Sequence, residues 1–222
     1  MQPEHLVQSR LKTPRAAAIA GIIFSALFVS AFTLLRVSIP SDPVDSGEWL
    51  STSSKAVTLA LNLIPFSGIA FLWFIGVLRD RLGQAEDRFF STVFMGSSLL
   101  FLGMLFITAA VIGAIILTFA AESNLVNSTA FRFSRTLVFN IVNIYMIKMA
   151  AVFMISTSTV IVYTEIAPRW VAFLGFGLAL LQLIGSSYLS WMFVSFPLWV
   201  LLISVCLLVD EFLSQPIKGR NK

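Results

Sequence analysis

FFSTVFMGSSLLFLGMLFITAAVIGAIILTFAA, residues 89–121, runs for 33 residues without a charged side chain. A charge at the bilayer centre costs about 2.5–3.5 kcal/mol on insertion scales, so a run of this length belongs in hydrocarbon rather than in water. As a single helix it is about 50 Å long, against a hydrocarbon core of about 30 Å. Even a tilt of about 40° accommodates only some 39 Å of helix. The sequence therefore predicts that part of this helix bends, near Gly113, or emerges beyond the outer surface packed on a neighbour.

Similar runs lie on either side, separated by charged or turn-forming segments. The reading is an all-α, polytopic transmembrane helix bundle with six spans, at about 16–35, 56–78, 89–121, 137–163, 170–187 and 192–213. Residues 1–15 and 214–222 are read as cytoplasmic tails, and the third and fourth helices as a long hairpin. Composition agrees: 58% of the residues are apolar and 12% charged, with a mean hydropathy of +0.91. A soluble fold of this size would have too little polar surface to cover itself. A cleaved signal peptide fits the N-terminus poorly, because the first apolar run of about twenty residues exceeds a typical signal core of about 7–15.

Orientation follows from the basic residues. With both ends inside, Arg10, Lys12, Arg15, Arg79, Arg81, Arg88, Arg169, Lys218, Arg220 and Lys222 face the cytoplasm, and Arg36, Lys55, Arg132 and Arg135 face outward. That asymmetry predicts N-in and C-in. It also explains the net charge of +4 without a nucleic-acid partner, since no basic cluster lies away from the segment ends.

Several local features carry structural expectations. Ala17, Gly21 and Ser25 recur at i+4 and form a flat stripe for close helix approach. Asp45 followed by Glu48 resembles a capping box, which would start a short helix and set Trp49 at headgroup depth; an acidic ligand site of Asp42, Asp45 and Glu48 is the alternative. Asn62, Pro65 and Gly68 predict a bend in the second span, with Asn62 or Ser67 satisfying freed backbone groups. Gln182 is expected to hydrogen-bond between helices, and Tyr188 and Trp191 to sit in an aromatic belt. Asn127-Ser128-Thr129 matches a glycosylation acceptor, relevant only in a eukaryotic secretory pathway.

The stretch AVTLALNLIPFSGIAFLWFIGVLRDRLG (56–83), followed by EDRFFSTVFMGSSLLFLGMLF (86–106), resembles a group of small bacterial multi-pass proteins of unassigned function. The resemblance covers mainly residues 45–110. It implies a bacterial cytoplasmic membrane and carries no active residues with it.

Chemistry is sparse. His5 is the only histidine and lies in the N-terminal tail, Cys206 is alone within the last apolar run, and no glycine-rich phosphate loop occurs. No cofactor or metal is expected. The carboxylate pairs Glu86/Asp87 and Asp210/Glu211 sit at helix ends, where charge–dipole roles suffice. Lys148, counted about twenty residues from Pro168, falls near the outer interface, where it would snorkel; as an intramembrane lysine it would instead mark a site. Asn140, Ile144, Lys148 and Ala151 share one face of a regular helix. The candidate ligand or packing residues are thus Asn62, Pro65, Asn140, Asn143 and Lys148.

Two functional expectations follow. The first is a non-enzymatic accessory or assembly subunit that packs with membrane lipids, another membrane protein or a second copy of itself. The alternative is a small transporter or ligand-binding protein whose polar site lies between the Pro65 bend and the Asn140 to Lys148 face.

Overall fold

A computed structural model of the chain describes residues 13–82, 88–164, 166–185 and 192–213. They form helices α1 (Thr13–Ser38), α2 (Trp49–Thr52), α3 (Ser54–Leu82), α4 (Arg88–Ala121), α5 (Thr129–Asn140), α6 (Ile147–Thr164), α7 (Arg169–Gly185) and α8 (Ser195–Leu213). A π-helical segment, Ile141–Met146, joins α5 to α6 without interruption. Five helical stretches are long and apolar enough to cross a membrane, and α7 is a shorter apolar helix. The outward faces are apolar as well, with Phe66, Trp73 and Phe173 each more than half exposed. Water would not support such a surface, and lipid would. The protein is a helical membrane protein.

Helix boundaries follow local chemistry. Pro40, which has no N–H and restricts the residue before it, lies two positions past the end of α1. Ser128 caps α5, its Oγ accepting from Phe131 N at 3.1 Å. Pro197 sits in the first turn of α8, where its missing donor is harmless.

Ten phenylalanine rings dominate the main core. The Phe71 ring on α3 is central, its centroid 4.6 to 5.8 Å from those of Phe24 on α1, Phe101 on α4, Phe153 on α6 and Phe196 on α8. Such offset and edge-on pairs contribute about 0.5–1.5 kcal/mol each beyond area burial, and they tie five helical stretches to one centre. The small-residue stripe of α1 serves the expected close approach. A Cβ at Gly21 would run into Ser204 of α8 and lie 2.9 Å from the Phe74 ring of α3. Ser25 Oγ donates to Pro197 O of α8 at 2.8 Å. Gln182 makes the expected interhelical bond, donating to Ser195 Oγ at 2.8 Å.

The long hairpin is present in a simpler form than the sequence suggested. α4 is a continuous helix of 34 residues, about 51 Å long, and no break falls at Gly113. It packs against the equally long helical stretch from Thr129 to Thr164. Both therefore overshoot α1, and the extra turns carry a second, smaller core of Ile39, Trp49, Leu50, Val57, Ile112, Ile115, Phe131 and Val138. The segment 39–53 folds over this end of the bundle.

One local expectation is corrected. Asp45 and Glu48 form no capping box: Glu48 makes no side-chain cap bond, and Asp45 Oδ1 instead accepts from Gly47 N at 2.7 Å, in a turn that Gly47 permits with φ of 71°. Trp49 is buried at 3% exposure, packed in the smaller core with Leu50 and Val57. Pro65 lies inside α3, which continues as helix on both sides of it, and its ring is exposed. Tyr188 and Trp191 lie outside the described residues.

Candidate functional site

Between the two cores lies a cavity of about 100 Å³, partly open to the outside. Its floor is apolar: Phe28, Ala31 and Phe32 of α1, Ile64 of α3, Leu105 of α4 and Met146 of the π segment. From Arg36 at the mouth to Phe28 at the floor is eight residues of α1, about 12 Å. Thr108 and Ile112 continue the α4 wall, Val138, Phe139 and Val142 form the opposite one, and Ile39, Pro40, Ser41 and Pro43 border the top.

Polar groups are few and placed at the upper end. Arg36, in the last turn of α1, donates from Nη2 to Asn143 Oδ1 at 3.1 Å. Its guanidinium also sits 5.3 Å from the Phe32 ring centroid. Asn143 is oriented from the other side, since its Nδ2 donates to Phe139 O at 2.8 Å. With the amide nitrogen so engaged, the amide oxygen is left to accept from Arg36. Among the described residues, Arg36 has no carboxylate partner.

Arg135 is the second cation of the wall, and it is fully neutralised. Its Nε and Nη2 donate to Asp45 Oδ2 at 2.9 and 2.5 Å. Nη2 also reaches Pro40 O at 2.9 Å and Asp42 O at 3.2 Å. The guanidinium lies 5.7 Å from the Trp49 ring. Only about 6% of the Arg135 side chain and 7% of that of Asp45 is exposed, so this buried ion pair fastens segment 39–53 to α5. The positive charge at the mouth is consequently that of Arg36.

Thr108 adds a further polar group. It is 4% exposed, lines the cavity, and its Oγ1 has no hydrogen-bond partner. A buried threonine ordinarily satisfies its hydroxyl on a carbonyl of its own helix.

Of the residues singled out from sequence, only Asn143 lines this cavity. Asn62 and Pro65 are exposed on α3, and Asn140 and Lys148 are half-buried outside the lining. The helical face expected to join Asn140, Ile144 and Lys148 is broken by the π segment, whose i→i+5 bonding shifts the register so that i and i+4 no longer stack. Arg36, Thr108 and Arg135 were not singled out from sequence. Only Arg135 left a signal: Phe131, Arg135 and Val138 fall at i, i+4 and i+7, which sets an arginine on a buried helical face in need of an anion.

No family model matches the chain, and no curated protein or solved structure matches it. What the cavity holds is therefore read from its own chemistry.

Proposed function

We propose that this chain is a non-enzymatic, six-pass membrane protein with both ends cytoplasmic that binds a small membrane-derived ligand in the cavity between its two cores. The observation that carries the reading is an apolar hollow with a charged, preorganised mouth in a bundle packed elsewhere by interlocking rings. The polar side chains of the lining are those of Arg36, Ser41, Thr108, Arg135 and Asn143, and among the described residues no carboxylate, imidazole or thiol lines it. Hydroxyls and donors without a base to activate them suit holding a molecule rather than transforming it.

A photoreactive alkyl probe, incorporated with the protein into phosphatidylcholine nanodiscs, tests this. Labelled peptides should map to α4 around Thr108 and to the Phe139 to Met146 segment. Ala31→Phe, which places a ring in the hollow, should abolish that labelling while leaving lipid-facing labels on α3 and α7 unchanged. Uniform labelling of wild type and variant along the outer faces alone would overturn it.

A second reading, an accessory subunit docking on a partner helix or a second copy, has its own support. A Cβ added at Gly96 or Gly103 of α4 meets nothing within 4 Å, which leaves small residues on an outward face where another helix could approach closely. Cysteines placed at Gly103 that crosslink between chains in native membranes would favour it.

A further inference from the structure

We infer that the occupant is a single-chain amphiphile whose anionic head, a carboxylate or a phosphate monoester, pairs with Arg36 at the mouth of the cavity. This rests on the ligand-binding reading above and narrows it to one chemical class.

Charge balance comes first. The cavity wall carries two guanidinium groups, Arg36 and Arg135. Asp45 and two backbone carbonyls neutralise and hold Arg135, whereas among the described residues Arg36 has the neutral Asn143 oxygen and the Phe32 ring face. An arginine with five donors and one amide acceptor is under-satisfied, and its planar fork suits the paired oxygens of a carboxylate or phosphate. Arg36 does not simply extend to the interface. It is drawn sideways to Asn143, across a sequence separation of 107, and that bond holds its fork over the cavity.

The shape selects what hangs from the head. Below Arg36 the walls are apolar for about 12 Å along α1, and Phe28, Leu105 and Met146 close the floor. One alkyl chain, lying along this partly open apolar lining, matches it in the direction set by the charge at one end. The buried Thr108 hydroxyl, unpartnered in the wall, supplies a second donor or acceptor to an oxygen next to the head. A neutral chain would leave Arg36 unpaired, and a cationic head would be repelled. A free inorganic anion would leave the apolar hollow empty.

The test is competition against the photoreactive alkyl probe in phosphatidylcholine nanodiscs, using dodecanoate, dodecyl phosphate, dodecanol and dodecyltrimethylammonium, with acetate and inorganic phosphate as chainless controls. The expected result is that one or both anionic amphiphiles compete at least tenfold better than dodecanol, the loss of a charge-assisted hydrogen bond being roughly a ten- to hundredfold effect. Their order names the head, carboxylate or phosphate. Arg36→Gln should erase the preference while dodecanol competes as before, Arg36→Lys should retain part of it, and Thr108→Val should weaken the anionic ligand by roughly two- to tenfold.

Equal competition by dodecanoate, dodecyl phosphate, dodecanol and the ammonium compound in the wild-type protein would overturn the inference and leave the cavity reading standing. So would competition by inorganic phosphate or acetate as strong as that of the matching amphiphile. Failure of every alkyl compound to displace the probe, together with no effect of Ala31→Phe on labelling, would remove both. The wild-type comparison of head groups needs no variant to fold.

Discussion

Replacing Asp45 by Asn probes what fastens the 39–53 segment. The change is isosteric and keeps an oxygen for the Gly47 N–H, but it sets an amide NH2 where Oδ2 accepted from Arg135, so the charge and both acceptor contacts to the guanidinium are removed together. Because the Arg135 and Asp45 side chains are about 6% and 7% exposed, solvent screens the pair weakly, and leaving one buried charge uncompensated costs about 3–5 kcal/mol. The carbonyls of Pro40 and Asp42 stay on the guanidinium and hold the cost near the lower end, about 3 kcal/mol, which is roughly two orders of magnitude in an opening constant. Hydrogen exchange reads this directly through the amides of Leu50, Ser51 and Ser53, which bond to Gly47, Glu48 and Trp49 carbonyls at 3.0, 3.1 and 2.8 Å. Their protection should fall about a hundredfold in Asp45→Asn, while amides around Phe153 stay unchanged. Combining Asp45→Leu with Arg135→Met should restore most of the loss, since apolar replacement of a whole buried pair is often neutral. Protection within threefold of wild type in Asp45→Asn would refute the reasoning and show that Trp49, Leu50 and Val57 hold the cap by apolar contact alone.

Other outcomes follow from the packing. Gly21→Ala should destabilise the bundle by about 1–3 kcal/mol through overpacking against Phe74 and Ser204, whereas Gly103→Ala, which meets nothing, should be neutral or stabilise by up to about 1 kcal/mol; denaturation midpoints in detergent compare them. Ser195→Ala strands the buried Gln182 amide nitrogen and should cost about 1–3 kcal/mol, while Gln182→Met, which also removes the unpartnered Oε1, should be neutral or stabilising in the same assay. In a Cys206→Ser background, cysteines at the exposed positions Val44 and Glu122 should react with a membrane-impermeant thiol reagent from one side, and a cysteine at Pro168 only from the other. Labelling of all three from one side would overturn six passes.

The sequence showed the bundle because the bilayer writes its rule in charge: long charge-free runs and arginines at their ends need no tertiary information. The excess length of residues 89–121 was equally visible, and the structure answers it with one continuous helix that carries a second core on its extra turns. Gly21 and Gln182 could be read in advance because small and amide side chains within an apolar helix have few uses. The site was largely hidden. Arg36 and Asn143 meet across 107 positions, and as separate residues they look like an interfacial arginine and an ordinary amide. Arg135 looked like an outer charge and Asp45 like a helix cap, because each satisfies a local rule that the tertiary ion pair overrides. The π segment has no hydrophobic period of its own, so the expected face of Asn140, Ile144 and Lys148 was drawn on a regular helix that is not there.

The cavity's position has a structural cause. α1 stops at Ser38 with Pro40 close behind, while α4 continues to Ala121 and its partner begins at Thr129. The two long helices thus stand above α1, and their upper turns must be covered by whatever follows it. Segment 39–53 does so and is pinned by Arg135 to α5, which fixes its height independently of the phenylalanine core below. Neither core can settle onto the other without breaking that pair or compressing the ring cluster, so the space between them persists. An empty apolar hollow costs about 24 cal/mol per Å³, so about 100 Å³ would amount to about 2 kcal/mol, a noticeable fraction of a typical domain's stability. An occupant that brings its own apolar surface removes this cost. Arg36, held over the mouth by Asn143 with no carboxylate of its own among the described residues, then favours the chain that ends in an anion.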